Sequence, residues 1–173
     1  MEQQKQVQDT FARARSGLLI MLFLTVANLA TVVLMKSETV FVFAAAIPEI
    51  ALSVLKGAYY SPEQPLYLMI LAGAVLAAVL VLYFLCWLFC KKKPRWMTLS
   101  LILFAVDCAA LIVWLLVALY EVNTTGGDID LIVTTLRLLF SGWVLYYLVR
   151  GVKAAKHLKA ANKAATETDL PTA

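Results

Sequence analysis

Four residues bring charge or amide chemistry into sequence that is otherwise apolar: Asn28, Glu49, Asp107 and Arg137. An ionisable group inside an apolar helix is costly. By default it marks a substrate or ion path, a proton relay or a buried partner. Asp107 lies near the middle of WMTLSLILFAVDCAALIVWLLVALY, and Arg137 lies near the start of LIVTTLRLLFSGWVLYYLV. If these segments are antiparallel neighbours, the two Cα atoms differ in depth by roughly 10 Å. An arginine arm can cover that distance. The two charges would then offset part of each other's desolvation cost. Three roles follow in order of weight: a structural Asp107–Arg137 contact, a part in substrate, proton or ion handling, and Arg137 snorkelling outward beside a neutral Asp107. Asn28, with Thr25 and Thr31 nearby, suits interhelical hydrogen bonding worth of order 1 kcal/mol. Together with Asp107, Arg137 and Glu49 it could also line a polar pocket. Glu49 has a plainer reading too, as an acid near a helix N-terminus.

The elements that hold these residues are set by composition. Of 173 residues, 62% are hydrophobic and 15% are charged, against about a quarter charged in a soluble domain. Mean hydropathy is +0.83. The apolar residues come in blocks, which excludes a disordered chain, a disulfide-stapled secreted domain and a nucleic-acid-binding domain. Four blocks reach the length of about 20 residues needed to cross a bilayer: about 16–35, 66–90, 96–120 and 131–149. Backbone polar groups in lipid must be satisfied within the segment, so each block is expected to be an α-helix. The reading is an all-α integral membrane protein: a single four-span domain over 1–173, built as a four-transmembrane-helix bundle.

A fifth apolar stretch, TVFVFAAAIPEIALSVL at 39–55, is short and broken by Pro48 and Glu49. Proline interrupts a helix interior but suits a first turn. Two short helical pieces are expected, one ending near Ile47 and one starting at Pro48. They would lie flat at the interface or, as the second choice, dip back as a re-entrant segment. A true crossing is disfavoured by the charges. Lys and Arg concentrate in the N-terminal segment, in Lys91-Lys92-Lys93-Pro94-Arg95 and in the tail 150–173. Four crossings put those three on one side, which the positive-inside rule makes cytoplasmic. Both termini are therefore expected in the cytoplasm. In broad outline the chain looks like small bacterial inner-membrane proteins, although no family motif assigns roles to its residues. The tail is expected to continue the last helix and to fray after Asn162.

Several other residues have bland readings. Trp87, Trp96, Tyr120, Tyr146 and Tyr147 sit near span ends, where aromatic rings favour the headgroup level. Gly73, Ala74, Ala77 and Ala78 form a small-residue face that suits a packed bundle or a homodimer. Cys86 and Cys90 are four apart with no CxxC, and Cys108 is alone. The single histidine, His157, falls in the basic tail. There is no HExxH, GxSxG or Walker loop, so no cofactor or metal is expected and no catalytic residue is assigned. Asn123-Thr124-Thr125 matches a glycosylation acceptor in an outer loop. Expected partners are membrane lipids, with anionic headgroups at Lys91, Lys92, Lys93 and Arg95, and either another membrane protein or a second copy. Nucleic acid is not among them.

Three functions are weighed. The first is a non-enzymatic accessory or regulatory subunit of a membrane complex. The second is a small oligomeric transporter or channel subunit using Asp107 and Arg137. The third, and least supported, is an intramembrane lipid-acting enzyme.

Overall fold

The computed structural model describes residues 2–34, 45–60, 66–91, 93, 95–125 and 131–168. Those residues form five helices: α1 Glu2–Leu34, α2 Ala46–Tyr60, α3 Leu66–Phe89, α4 Arg95–Thr125 and α5 Leu131–Thr168. No strand occurs among them. Four helices, all but α2, are long and apolar enough to cross a membrane. Apolar residues leave α3 apolar around its whole circumference, and from Trp96 to Tyr120 α4 is nearly so apart from Thr98, Ser100 and Asp107, as a helix surrounded by apolar neighbours or lipid must be.

The four long helices form a ring in the order α1, α5, α4, α3, with α1 and α4 on one diagonal. Packing is most extensive between α1 and α5. It is close because both helices present small residues: a Cβ built on Gly151 would lie 2.4 Å from the Cβ of Ala14 and 3.4 Å from Met97 Cε. Only glycine permits that approach. The buried core gathers in the part of the ring that holds the middle of α1, the end of α3, the start of α4 and the middle of α5. Leu18, Met21, Cys86, Met97, Val144 and Leu148 fill it. This is also the basic end of the bundle. There the Arg15 Nε donates to the Trp87 carbonyl at 3.3 Å, and its guanidinium sits 5.0 Å over the Trp87 ring. A cation is thereby placed at the carbonyl-rich end of α3, where the helix dipole favours it.

Several boundaries differ from the sequence reading. Three of the four spans are cores of longer helices: α1 begins at Glu2, α4 runs to Thr125, and α5 runs to Thr168, past Asn162, whereas α3 keeps nearly the expected bounds. Polar residues such as Gln, Lys and Arg propagate a helix well, so the helix does not end where the apolar block ends. Asn123 is helical and exposed within α4 rather than in a loop. Among the described residues a single helix, α2, runs through Pro48 instead of starting at it. Pro48 is the third residue of α2, where its missing N–H breaks no helical bond. The stretch 39–44 lies outside the described residues. Ala74, Ala77 and Ala78 face outward on α3, so the close helix approach uses Ala14 and Gly151 instead.

Candidate functional site

The first turn of α2 is inserted between the diagonal helices α1 and α4, and polar side chains from three helices hold it. The first N–H groups of any helix lack intrahelical acceptors. Here each has one. The Ala45 N–H donates to Thr25 Oγ1 of α1 at 3.0 Å. The Ala46 N–H donates to Asp107 Oδ2 of α4 at 2.9 Å, and the Ile47 N–H to Asp107 Oδ1 at 2.8 Å. Pro48 follows and has no N–H to satisfy. Asp107 therefore does from a neighbouring helix what an N-cap side chain ordinarily does from within. Its negative charge also faces the positive end of the α2 dipole.

Glu49 supplies the third tie. Arg137 of α5 donates from one terminal nitrogen to Glu49 Oε1 at 3.2 Å and from the other to Glu49 Oε2, a bidentate pair. Both side chains are largely buried. The guanidinium also lies 5.7 Å from the Trp114 ring centroid, a cation–π contact that further compensates its burial. The direct Asp107–Arg137 contact expected from sequence is thus replaced by two separate bonds that meet on α2. Arg137 takes Glu49, and Asp107 takes backbone. The roughly 10 Å difference in depth is bridged by the inserted helix.

Thr25 and Asp107 lie well inside their helices. Asp107 is 12 residues from the start of α4, about 18 Å along its axis. Asp107 is 3% exposed, Thr25 2% and Asn28 2%. The α2 helix then runs back along α3, burying Ala46, Ala51 and Leu52. Of the four residues singled out from sequence, Glu49, Asp107 and Arg137 are brought together at the start of α2. Asn28 is buried one turn from Thr25 on α1.

Sequence reading did not single out Tyr83 and Trp114. The Tyr83 side chain is 1% exposed, and its hydroxyl has no hydrogen-bond partner among the described residues. Neither does Arg137 Nε. A tyrosine six residues inside the end of α3, deeper than an interfacial ring needs to be, was the available signal. Trp114 carried a similar one, since it lies far from either end of α4. Cys86, Cys90 and Cys108 are free thiols, and no cluster able to hold a metal occurs among the described residues.

No protein-family model matches the chain, and neither does any curated protein or solved structure.

Proposed function

We propose that the protein is a non-enzymatic accessory or regulatory subunit of a membrane complex. On this reading the four apolar helices span the bilayer and α2 is a re-entrant helix. One observation carries the proposal: the ionisable groups between the helices are used to hold the fold. Asp107 accepts two backbone N–H groups, and Glu49 is engaged by Arg137 at both oxygens. A catalytic acid or base needs a free lone pair or proton facing substrate. These groups instead face the backbone and each other. The re-entrant reading rests on the same bonds, because backbone at membrane depth is tolerated only where protein or water satisfies it. Lipid or a partner's helices would cover the apolar side chains that ring the bundle, among them Phe23, Ile70 and Leu139.

The experiment is native mass spectrometry of the protein gently extracted from its own membranes. A heteromeric complex is expected, and its partner would supply the biological context. A stable homo-oligomer with no other protein would overturn the proposal.

A second reading, a small transporter or channel subunit, has one observation in its favour. Two buried polar atoms in or near the same network, Tyr83 Oη and Arg137 Nε, have no partner among the described residues, and buried polar atoms of this kind commonly face water or a ligand. The lipid-acting enzyme has no comparable support. Its candidate acids, Asp107 and Glu49, are both engaged.

A further inference from the structure

A cleft of about 520 Å³ opens on the flank of the α1–α5 seam, toward the basic end. Its two ends differ in chemistry. Arg13 and Ser16 lie at one end, and Ile20 and Trp143 at the other, with Gly17 and Tyr147 between them. That gradient follows from the antiparallel packing of α1 and α5. Residues entering the apolar block of α1 are set beside residues leaving the apolar block of α5.

Three features describe what fits. The first is a free cation. Arg15 is engaged by Trp87 and Arg150 by Tyr146. Arg13 makes no hydrogen bond or ion pair among the described residues, not even with Asp9 one turn before it on the cleft's rim. Second, the floor is open. A Cβ built on Gly17 would meet nothing within 4 Å, so the cleft owes part of its width to a missing side chain. Third, the wall is aromatic and fixed, with Trp143 and Tyr147 edge to face at 5.0 Å. A neighbouring recess on the same seam is lined by Arg150, Lys153 and His157, so the positive field extends past the mouth and outweighs Asp9.

We infer that this cleft binds a single phospholipid with an anionic headgroup, its phosphate at Arg13 and Ser16 and its upper acyl chain along Gly17, Ile20 and Trp143. The volume falls within the range of about 300–1,000 Å³ typical of small-ligand sites. The order of the residues matches the order of the lipid. Phosphate meets a guanidinium and a hydroxyl, a glycerol-level segment meets the tyrosine, and hydrocarbon meets isoleucine and indole. The inference rests on the reading of the four long helices as membrane-spanning, and it is independent of the accessory role.

The test uses the full chain reconstituted in phosphatidylcholine vesicles, with brominated-acyl phosphatidylglycerol or brominated phosphatidylcholine titrated in. Bromine quenches a tryptophan it touches, and Trp143→Phe identifies the cleft's share of the signal. Brominated phosphatidylglycerol should quench that share at roughly fivefold lower mole fraction than brominated phosphatidylcholine, the preference expected of one arginine at an anionic surface. Arg13→Gln should erase the difference between the two lipids. Gly17→Leu puts a side chain into the cleft from a position whose Cβ has nothing within 4 Å, and should remove quenching by both without lowering thermal stability, since leucine is the better helix former. Equal quenching by the two lipids in the unaltered protein would overturn the inference, and so would a preference that survives Arg13→Gln. Flotation of the protein with the vesicles separates the two levels of failure. Protein that does not float removes the membrane reading, whereas protein that floats without a lipid preference removes only the cleft.

Discussion

At the basic end, α1 and α5 meet where Gly151 leaves room for the Cβ of Ala14. At the start of α2, four backbone and side-chain groups are caught by Thr25, Asp107 and Arg137. The first region is held by shape: dispersion between closely approaching helices and core side chains that interdigitate. The second is held by direction, a few bonds whose loss leaves a buried donor or charge without a partner. The contrast follows from what each region must bury. Two long helices side by side have already satisfied their backbone, so only surface fit is left to optimise. A helix that begins inside the bundle brings unsatisfied N–H groups with it, and apolar packing cannot answer them.

The largest effect that would sharpen this contrast concerns the buried ion pair. Replacing Arg137 with Met, or Glu49 with Leu, leaves the other charge buried alone. Each single change should cost about 3–5 kcal/mol, and the double replacement should recover most of the loss. Unfolding of the purified protein in mild detergent, followed by circular dichroism, measures all three. Additive losses in the double variant would show that the two residues act separately. Next comes Asp107→Ala, which removes both acceptors facing α2 and should cost about 3 kcal/mol. Asp107→Asn should fall between this and the unaltered protein, because one carboxamide oxygen can serve one N–H while the amide group faces the other donor to donor. Hydrogen exchange should place the opening at Ala46 and Ile47, with α1 and α5 still protected. If the change instead loosened the whole bundle evenly, α2 would not be a separately fastened element.

The shape-held region is broken by volume. Gly151→Ala places a methyl group 2.4 Å from the Cβ of Ala14, and neither atom belongs to a flexible side chain. A loss of about 2 kcal/mol is expected from the overpacking. Adding Ala14→Gly removes the colliding atom and should restore most of the melting temperature. A polar substitution series at the start of α2 offers no such rescue by size. If Gly151→Ala is neutral, the two helices can slide apart cheaply and the seam is less close-packed than its geometry indicates.

How much of this was legible in the sequence depends on the range of the signal. The four long helices are, because an unbroken apolar block such as Leu66–Phe89 specifies a helix through local composition alone. So is the significance of Asp107, Arg137 and Glu49, since a charge in such surroundings demands an explanation. Their pairing was not legible. Spacing along α4 and α5 brings Asp107 and Arg137 within reach of each other, and nothing local says that a third helix, starting at Ala46, will stand between them and take both. Pro48 gave half the hint. It marked a first turn, but a helix start at the interface and one deep inside the bundle have the same sequence pattern. The seam at Ala14 and Gly151 was hidden for a related reason. Gly73 and Ala77 made a more regular small-residue face on α3, and regularity along one helix does not reveal which face another helix will occupy.

The smallest effect is the most discriminating. Thr25 Oγ1 donates to the Met21 carbonyl at 2.8 Å and also accepts the Ala45 N–H at 3.0 Å. Thr31, six residues on along the same helix, makes the first kind of bond alone among the described residues, to the Ala27 carbonyl at 2.9 Å. Valine has nearly the shape of threonine and neither function. At Thr31 the lost bond returns a carbonyl that its own helix already satisfies, so Thr31→Val should be close to neutral. At Thr25 the same substitution also leaves the Ala45 N–H buried without an acceptor, at a cost of about 1 kcal/mol. Thr25 is buried and Thr31 partly buried, but helix propensity is matched, so most of the difference between the two valine variants reports one hydrogen bond between α1 and the first turn of α2. Measured by thermal unfolding in the same detergent, a gap between them supports a helix end held by side chains at that depth. Equal stabilities would mean that the Ala45 N–H finds another acceptor, and that Asp107 and the Glu49–Arg137 pair fasten the start of α2 without Thr25.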